Sequence, residues 1–178
     1  PEEQSNVDYV TAQLSCGGWG YGDLSKKMKQ RLIDSIGKND NLVIQSVENK
    51  DFVLAAVKQN PMVLRYVKNK DFVLEAVRKE GCALRFASAN FKADRDIILE
   101  AVKESGSAFR YASSALKGDQ EFVLNAVKQN PLAFQYALEE FKDSEEFVLA
   151  AVIENPSALQ YVSSKFNSNR EFVLDAMK

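Results

Sequence analysis

The stretch Glu121-Phe-Val-Leu-Asn-Ala-Val-Lys-Gln-Asn-Pro131 recurs along the chain with small changes and decides its fold. An acid followed by three large apolar residues starts each copy, and the copies are spaced 20 residues apart once and 25 residues apart thereafter. The starting acids are Asp51, Asp71, Asp96, Glu121, Glu146 and Glu171, and a weaker copy starts at Arg31. Such a period indicates stacked structural repeats. Positions within a repeat are counted from its acid as position 1.

The first half of each repeat is predicted to form a buried α-helix, helix A. Apolar residues stand at positions 2, 3, 4, 6 and 7, which cover a wide arc of a helical wheel. Two residues before each acid stands a short polar side chain that can accept hydrogen bonds from the first backbone amides of a helix. These predicted N-caps are Asn49, Asn69, Asp94, Asp119, Ser144 and Asn169.

The second half of each repeat is predicted to form another α-helix, helix B, with one face toward the core. Position 11 is Pro or Gly. Because the residue before Pro avoids the helical conformation, Asn60, Asn130 and Asn155 are predicted to cap helix B, with Pro as its first residue. Apolar residues at positions 13, 14, 16, 17 and 21 follow the α-helical period, so helix B is expected to continue through them. No sustained alternation suggests a strand.

One repeat alone is too small to fold, because ordering 25 residues costs more conformational entropy than its few large apolar side chains recover. Neighbouring repeats are therefore expected to stack. This predicts an all-α fold, an α-solenoid of short helix-turn-helix repeats. The predicted domains are an N-terminal helix with a Gly-rich loop over residues 1–27 and the repeat array over 28–178. The array has units from residues 31, 51, 71, 96, 121 and 146 and a partial unit from 171.

The repeats resemble an uncharacterised family of tandem repeats with the pattern FVLxAVKxN followed by a second helix that ends near a Tyr. The resemblance covers about Asn49 to Lys178 and is carried by the spacing and by segments such as 121–131. The family is found in bacterial proteins, including candidate secreted effectors of intracellular pathogens such as Legionella. The resemblance implies a helical repeat array and a place in an effector delivered into a host cytoplasm. It implies no activity, because the family's function is not established.

The composition disfavours several classes of function. The 178 residues carry 23 Lys and Arg against 25 Asp and Glu, and a net charge of −2 disfavours nonspecific nucleic-acid binding. No apolar run reaches the roughly 18 residues of a membrane span, so no membrane partner is expected. The chain has no histidine, which excludes Cys-His, Ser-His and His-metal chemistry within it. We therefore expect no enzyme activity, no metal and no cofactor, and the two cysteines favour a reducing, intracellular setting.

Position 15 is the main candidate for function. It is always Arg or Gln, a long side chain with planar N–H donors, although positions 5, 9 and 12 vary. The helical period turns it away from the apolar face, which predicts a column of donors for the backbone or carboxylates of a protein or peptide partner. The position-15 column comprises Gln45, Arg65, Arg85, Arg110, Gln135 and Gln160.

A structural role is the main alternative for the position-15 column. The long stems can cover the aromatic residue at position 16, and their ends can pair with nearby Asp or Glu. Repeats that read one RNA base each also combine such side chains with aromatic residues. That comparison is weaker, because the charge here is balanced and position 16 borders the apolar arc. Nucleic acid is therefore not an expected partner.

The two ends of the chain carry further predictions. The segment 16–23 holds four of the eight glycines and is predicted to be a loop without the histidine or phosphate-loop lysine that catalysis or nucleotide binding needs. Its Trp19 and Tyr21 are expected to cover the apolar end of the array, with a partner contact as their other role. At the opposite end, residues 172–177 belong to a helix A without a helix B. That edge is expected to continue into further chain or to pack on a second copy.

Together these features predict a non-catalytic protein-protein interaction scaffold. One alternative is a substrate-positioning region of a larger enzyme whose catalytic domain lies outside these residues, and another is a purely structural spacer. A neighbouring region rich in catalytic or nucleotide-binding motifs would favour the first of these alternatives.

Overall fold

The computed structural model describes residues 24–37 and 50–167. Every regular element in these two ranges is a helix, and they contain no strand, which confirms the predicted all-α repeat fold. Several predicted features lie outside the described residues: the N-terminal helix and the Gly-rich loop with Trp19 and Tyr21, Gln45 of the position-15 column, the caps Asn49 and Asn169, and the C-terminal apolar edge at 172–177.

From the Asp51 repeat onward, the long α-helices coincide with the predicted helix A, whereas the first long helix begins at Lys26, before the predicted start of its unit at Arg31. The Asp94 carboxylate caps one of them by accepting from the backbone N–H of Asp96 at 3.1 Å and of Ile97 at 3.3 Å. The predicted caps Asn69, Asp119 and Ser144 make the same type of bond. The long helices span Lys26–Gly37, Lys50–Gln59, Lys70–Lys79, Arg95–Glu104, Gln120–Gln129 and Glu145–Glu154.

The second half of each repeat is not the single α-helix B that the apolar period predicts, and that prediction was wrong. It is a six-residue 3₁₀ helix followed, in the 25-residue repeats, by a separate short α-helix. The 3₁₀ helices span Pro61–Tyr66, Gly81–Phe86, Gly106–Tyr111, Pro131–Tyr136 and Pro156–Tyr161. The short helices span Ala89–Lys92, Ser114–Lys117, Glu139–Asp143 and Ser164–Asn167.

The break lies at position 17, where the backbone becomes extended. Ala112 has φ −60° and ψ 151°, and Ala137 has φ −64° and ψ 162°. The next residue, Ser113, then caps the short helix by accepting from the backbone N–H of Leu116 at 3.4 Å. The break does not require that serine, because the residue after Ala137 is Leu138, which makes no side-chain cap bond although the next short helix follows it.

The predicted asparagine caps before proline are confirmed. The side-chain oxygen of Asn60 accepts from the backbone N–H two residues on at 3.1 Å, and those of Asn130 and Asn155 do the same at 3.2 and 3.1 Å. Each proline is the first residue of its 3₁₀ helix. The start of the second half was therefore predicted at the right residue, although its helix type was not.

The described residues form two compact units, one of those up to Ala76 together with 86–88 and the other of 77–85 together with those from Ala89 onward. In the first unit, helix A of the Asp51 repeat packs against the preceding long helix and against its own 3₁₀ helix. In the second unit, the long helices of the Asp96, Glu121 and Glu146 repeats pack side by side in that order. Their 3₁₀ helices do likewise, so sequential repeats are the packing partners there, as predicted.

The core consists of the predicted apolar positions. In the Asp96 repeat, Ile98 and Val102 of helix A and Ala108 and Phe109 of the 3₁₀ helix are all completely buried. The Phe109 ring centroid lies 6.3 Å from that of Phe122, which belongs to the next repeat. One repeat thus completes the core of its neighbour, in keeping with the expectation that a single repeat cannot fold alone.

Candidate binding surface

The described members of the position-15 column are all exposed, as the helical period predicts: Arg65, Arg85, Arg110, Gln135 and Gln160. Each is the fifth residue of a 3₁₀ helix whose third residue is buried. Because a 3₁₀ helix has about three residues per turn, positions 12 and 15 share one face and position 13 points inward. The change of helix type therefore keeps position 15 in solvent.

Arg110 lies over two aromatic rings in the second unit. Its guanidinium carbon is 5.4 Å from the ring centroid of Tyr111 and 5.8 Å from that of Tyr136, one repeat further on. Arg65 makes the same contact with Tyr66 at 5.9 Å in the first unit. Cation–π contacts at exposed sites contribute about 0.5–1 kcal/mol. They favour positions of the guanidinium above these rings.

A lysine at position 22, which the sequence reasoning missed, lies beside position 15. The Lys117 ammonium donates to the backbone carbonyl of Arg110 at 2.6 Å, and the Lys92 ammonium donates to that of Arg85 at 2.7 Å. Lys142 makes the same bond to position 15 of its repeat at 3.3 Å. A signal was present in the sequence, since Lys follows an apolar residue at position 21 in three consecutive repeats.

Positive charge is concentrated at the Asp96 repeat. Burial lowers the pKa of Lys117, and the nearby charge of Arg110 lowers it further. Within residues 24–37 and 50–167, no carboxylate forms an ion pair with either side chain. In the next repeat Lys142 pairs with Glu139 at 2.6 Å, and position 15 is Gln135. The surface therefore changes from basic to neutral between these two repeats.

Several cations of the long helices are arranged differently, because they pair with acids of the following repeat. Arg78 lies 2.8 Å from Glu100, and Arg95 lies 2.6 Å from Asp119. The amide of Phe122 and the guanidinium of Arg95 hold the pKa of Asp119 below its ordinary value. These contacts join neighbouring repeats.

The described ranges contain neither a cluster of metal ligands nor a helix that could span a membrane. They contain no group of three or more His, Cys, Asp or Glu side chains placed to hold a metal ion. None of their helices has the length and apolar character required to cross a membrane.

Comparison with protein families gives five overlapping matches to one family model, over residues 49–92, 69–117, 94–142, 119–166 and 144–178. Each match begins at one of the predicted N-caps, covers the repeat that follows this cap and extends into the next repeat. No curated protein and no solved structure matches the chain. The matched residues make up well over half of the sequence, so the chain belongs to the tandem-repeat family DUF4116, a domain of unknown function.

Proposed function

We propose that the array is a non-catalytic scaffold that binds an extended polypeptide with acidic side chains along the part of the position-15 column that lies in the second unit. The observation that supports this is the exposed Arg110 guanidinium, held over two tyrosine rings and beside the Lys117 ammonium. Like charges held together repel each other. A carboxylate ligand relieves that repulsion and accepts charge-assisted hydrogen bonds from both groups.

Two features favour a polypeptide over a nucleic acid. The net charge of −2 provides no long-range attraction for a polyanion. Single-stranded nucleic acids bind by stacking bases on exposed aromatic faces, but Arg110 lies over the faces of Tyr111 and Tyr136. A short acidic peptide segment can bind through the local positive charge of Arg110 and Lys117 and does not need a long-range attraction.

The absence of histidine from the sequence supports a role in binding rather than catalysis. The proposed setting is a bacterial effector that works in a reducing host cytoplasm. The resemblance of the repeats and the low cysteine count support this setting. A fusion to a reporter enzyme that is active only in host cytoplasm tests it, and a fusion that stays in the bacterium would contradict it.

Selection from a random peptide library displayed on phage tests the binding role on the full chain. The test variant carries three exposed substitutions, Arg85→Ala, Arg110→Ala and Gln135→Ala. We expect the unmodified protein to enrich peptides rich in Asp and Glu and the variant to lose them while its helical circular dichroism is unchanged.

The matched control for this selection is the variant Lys58→Gln/Lys103→Gln. It also removes two exposed positive charges, but from position 8 in the last turn of helix A. We expect it to select the same acidic peptides as the unmodified protein. If the selected peptides bound the triple variant as tightly as the unmodified protein, the position-15 column would not be the binding surface.

A further inference from the structure

We propose that a cavity between the Glu121 and Glu146 repeats binds an arginine side chain of a partner polypeptide. Its volume is about 290 Å³. Pockets for whole small molecules measure about 300–1,000 Å³, so this cavity has room for a single side chain. The residues that line it are Gln120, Glu140, Phe141, Ser144, Glu146 and Phe147. The inference uses no residue of the position-15 column and does not rest on the proposed function.

One wall of the cavity is aromatic. The rings of Phe141 and Phe147 are stacked, with centroids 4.6 Å apart and planes inclined by 19°. Phe147 is buried, whereas Phe141 is partly exposed. An aromatic face attracts a cation, and a planar guanidinium can also stack on it. The exposed side of Phe141 is therefore a suitable platform for a guanidinium.

Two carboxylates at the cavity are available to a cation. Glu140 directly precedes the aromatic residue of its short helix, and Glu146 lies in the first turn of the next long helix. Both are exposed, and within residues 24–37 and 50–167 neither forms an ion pair. A guanidinium has five N–H donors, enough to bond to both carboxylates.

The preceding pair of repeats shows which group the chain itself places here. Arg95 and Gln120 are each the first residue of a long helix. The Arg95 guanidinium carbon lies 4.6 Å from the ring centroid of Phe122, the counterpart of Phe147, and the guanidinium pairs with Asp119 at 2.6 Å. Gln120 brings no charge to the corresponding place. A partner's arginine would supply the guanidinium that this repeat lacks.

The change from arginine to glutamine is accompanied by three others at the edge of the cavity. Asp119 is matched by Ser144, Ala115 by Glu140, and Leu116 by Phe141. The later pair of repeats thus keeps a carboxylate beside the aromatic ring and adds a second ring while it loses the internal cation. Phe141 lies at the distance from Phe147 that Arg95 keeps from Phe122, so the incoming guanidinium is expected to lie on Phe141.

Titration of the full chain with Nα-acetylarginine amide, followed by NMR of the phenylalanine rings, tests the site. We expect saturable shifts at Phe141 and Phe147. Nα-acetylcitrulline amide, which has nearly the same shape without the charge, should cause no such shifts. Free arginine should bind more weakly than the amide, because Glu140 and Glu146 repel its carboxylate. Added salt should weaken the binding.

The variant Gln120→Arg supplies the guanidinium from within the chain, as Arg95 does in the preceding repeat. We expect it to weaken binding of Nα-acetylarginine amide by about tenfold or more while helical circular dichroism is unchanged. The double variant Glu140→Gln/Glu146→Gln should also lose binding. The matched control is Gln129→Arg, which places the same charge on the exposed last residue of the same helix and should bind as the unmodified protein does.

The proposal would be overturned if no saturable shifts appeared at the two rings, if the citrulline compound bound equally well, or if Gln120→Arg bound as tightly as the unmodified protein. Tighter binding of free arginine would identify a free amino acid as the ligand, and tighter binding of Nα-acetyl-trimethyllysine amide a quaternary ammonium. Either result would also contradict an arginine side chain. None of these results bears on the position-15 column, so the two proposals fail separately.

Discussion

Replacing Gly106 with alanine should force two neighbouring repeats apart. A Cβ atom at Gly106 would lie 2.7 Å from Cβ of Leu132 and 2.8 Å from Cγ of Asn130, both in the next repeat, and closer still to the Asn130 side-chain oxygen. Carbon atoms in contact are about 3.5–4.0 Å apart, so the next 3₁₀ helix must move by about 1 Å. The Asn130 oxygen caps that helix by accepting from Leu132 N–H at 3.2 Å, so this bond is also disturbed.

The expected cost follows from two opposing effects. Overpacking a well-packed contact costs about 1–3 kcal/mol. Alanine also raises the stability by about 0.4–1 kcal/mol, because it restricts the unfolded chain more than glycine does. The free energy of unfolding should therefore fall by about 1–2 kcal/mol. For a chain of this size, that lowers the thermal midpoint by about 2–8 °C.

Thermal unfolding followed by circular dichroism measures the effect of Gly106→Ala, and Gly118→Ala is its matched control. Gly118 ends a short helix with φ −90°, and an added Cβ would meet no atom closer than 3.5 Å. Alanine there should leave stability unchanged or raise it slightly. In Gly106→Ala, amide hydrogen exchange should also accelerate over Pro131–Tyr136. A Gly106→Ala protein as stable as Gly118→Ala would refute the close approach of the two repeats.

Two further predictions concern polar contacts between repeats. Asn155→Asp keeps the capping oxygen but loses the amide that donates to the carbonyls of Val127 and Lys128 at 3.3 and 3.4 Å, so urea unfolding should show a loss of about 1–3 kcal/mol. An unchanged urea midpoint would rule out that bridge. Because the pKa of Asp119 is held below 3.8, its carboxylate stabilises the fold above that pH, and the contribution is lost as the pH falls through the lowered pKa. Asp119→Asn, which keeps the cap but loses the Arg95 ion pair, should therefore melt below the unmodified protein at neutral pH and approach it in acid, and a pH-independent difference would contradict this.

The local features of the repeat were predictable from the sequence. The caps at Asp94 and Asn130 depend on a side-chain oxygen and backbone amides only two or three residues away, so residue type and spacing were sufficient. The buried positions of helix A followed from its apolar period for the same reason. The second half was mispredicted because buried positions 13, 14 and 17 do not distinguish an α-helix from a 3₁₀ helix that ends in extended backbone at position 17.

The candidate surface was predictable only in part. The exposure of Arg110 followed from the pattern, but its place over Tyr136 depends on the rotation of one repeat against the next. Lys117 was missed because its partner is a backbone carbonyl seven residues earlier in the chain. That carbonyl comes within reach only because the chain turns between the 3₁₀ helix and the short helix.

The order of residues determined the repeat period, the all-α class and the residues at which helices begin, because these depend on interactions within one or two helical turns. Only the packed structure decided which charges are paired between repeats and which are gathered together. Arg95 forms an ion pair with the Asp119 carboxylate of the next repeat, whereas Arg110 contacts tyrosine rings and lies beside the Lys117 ammonium. The difference arises because charge pairing between repeats depends on distances that are set by packing. The spacing of the residues along the sequence does not give these distances.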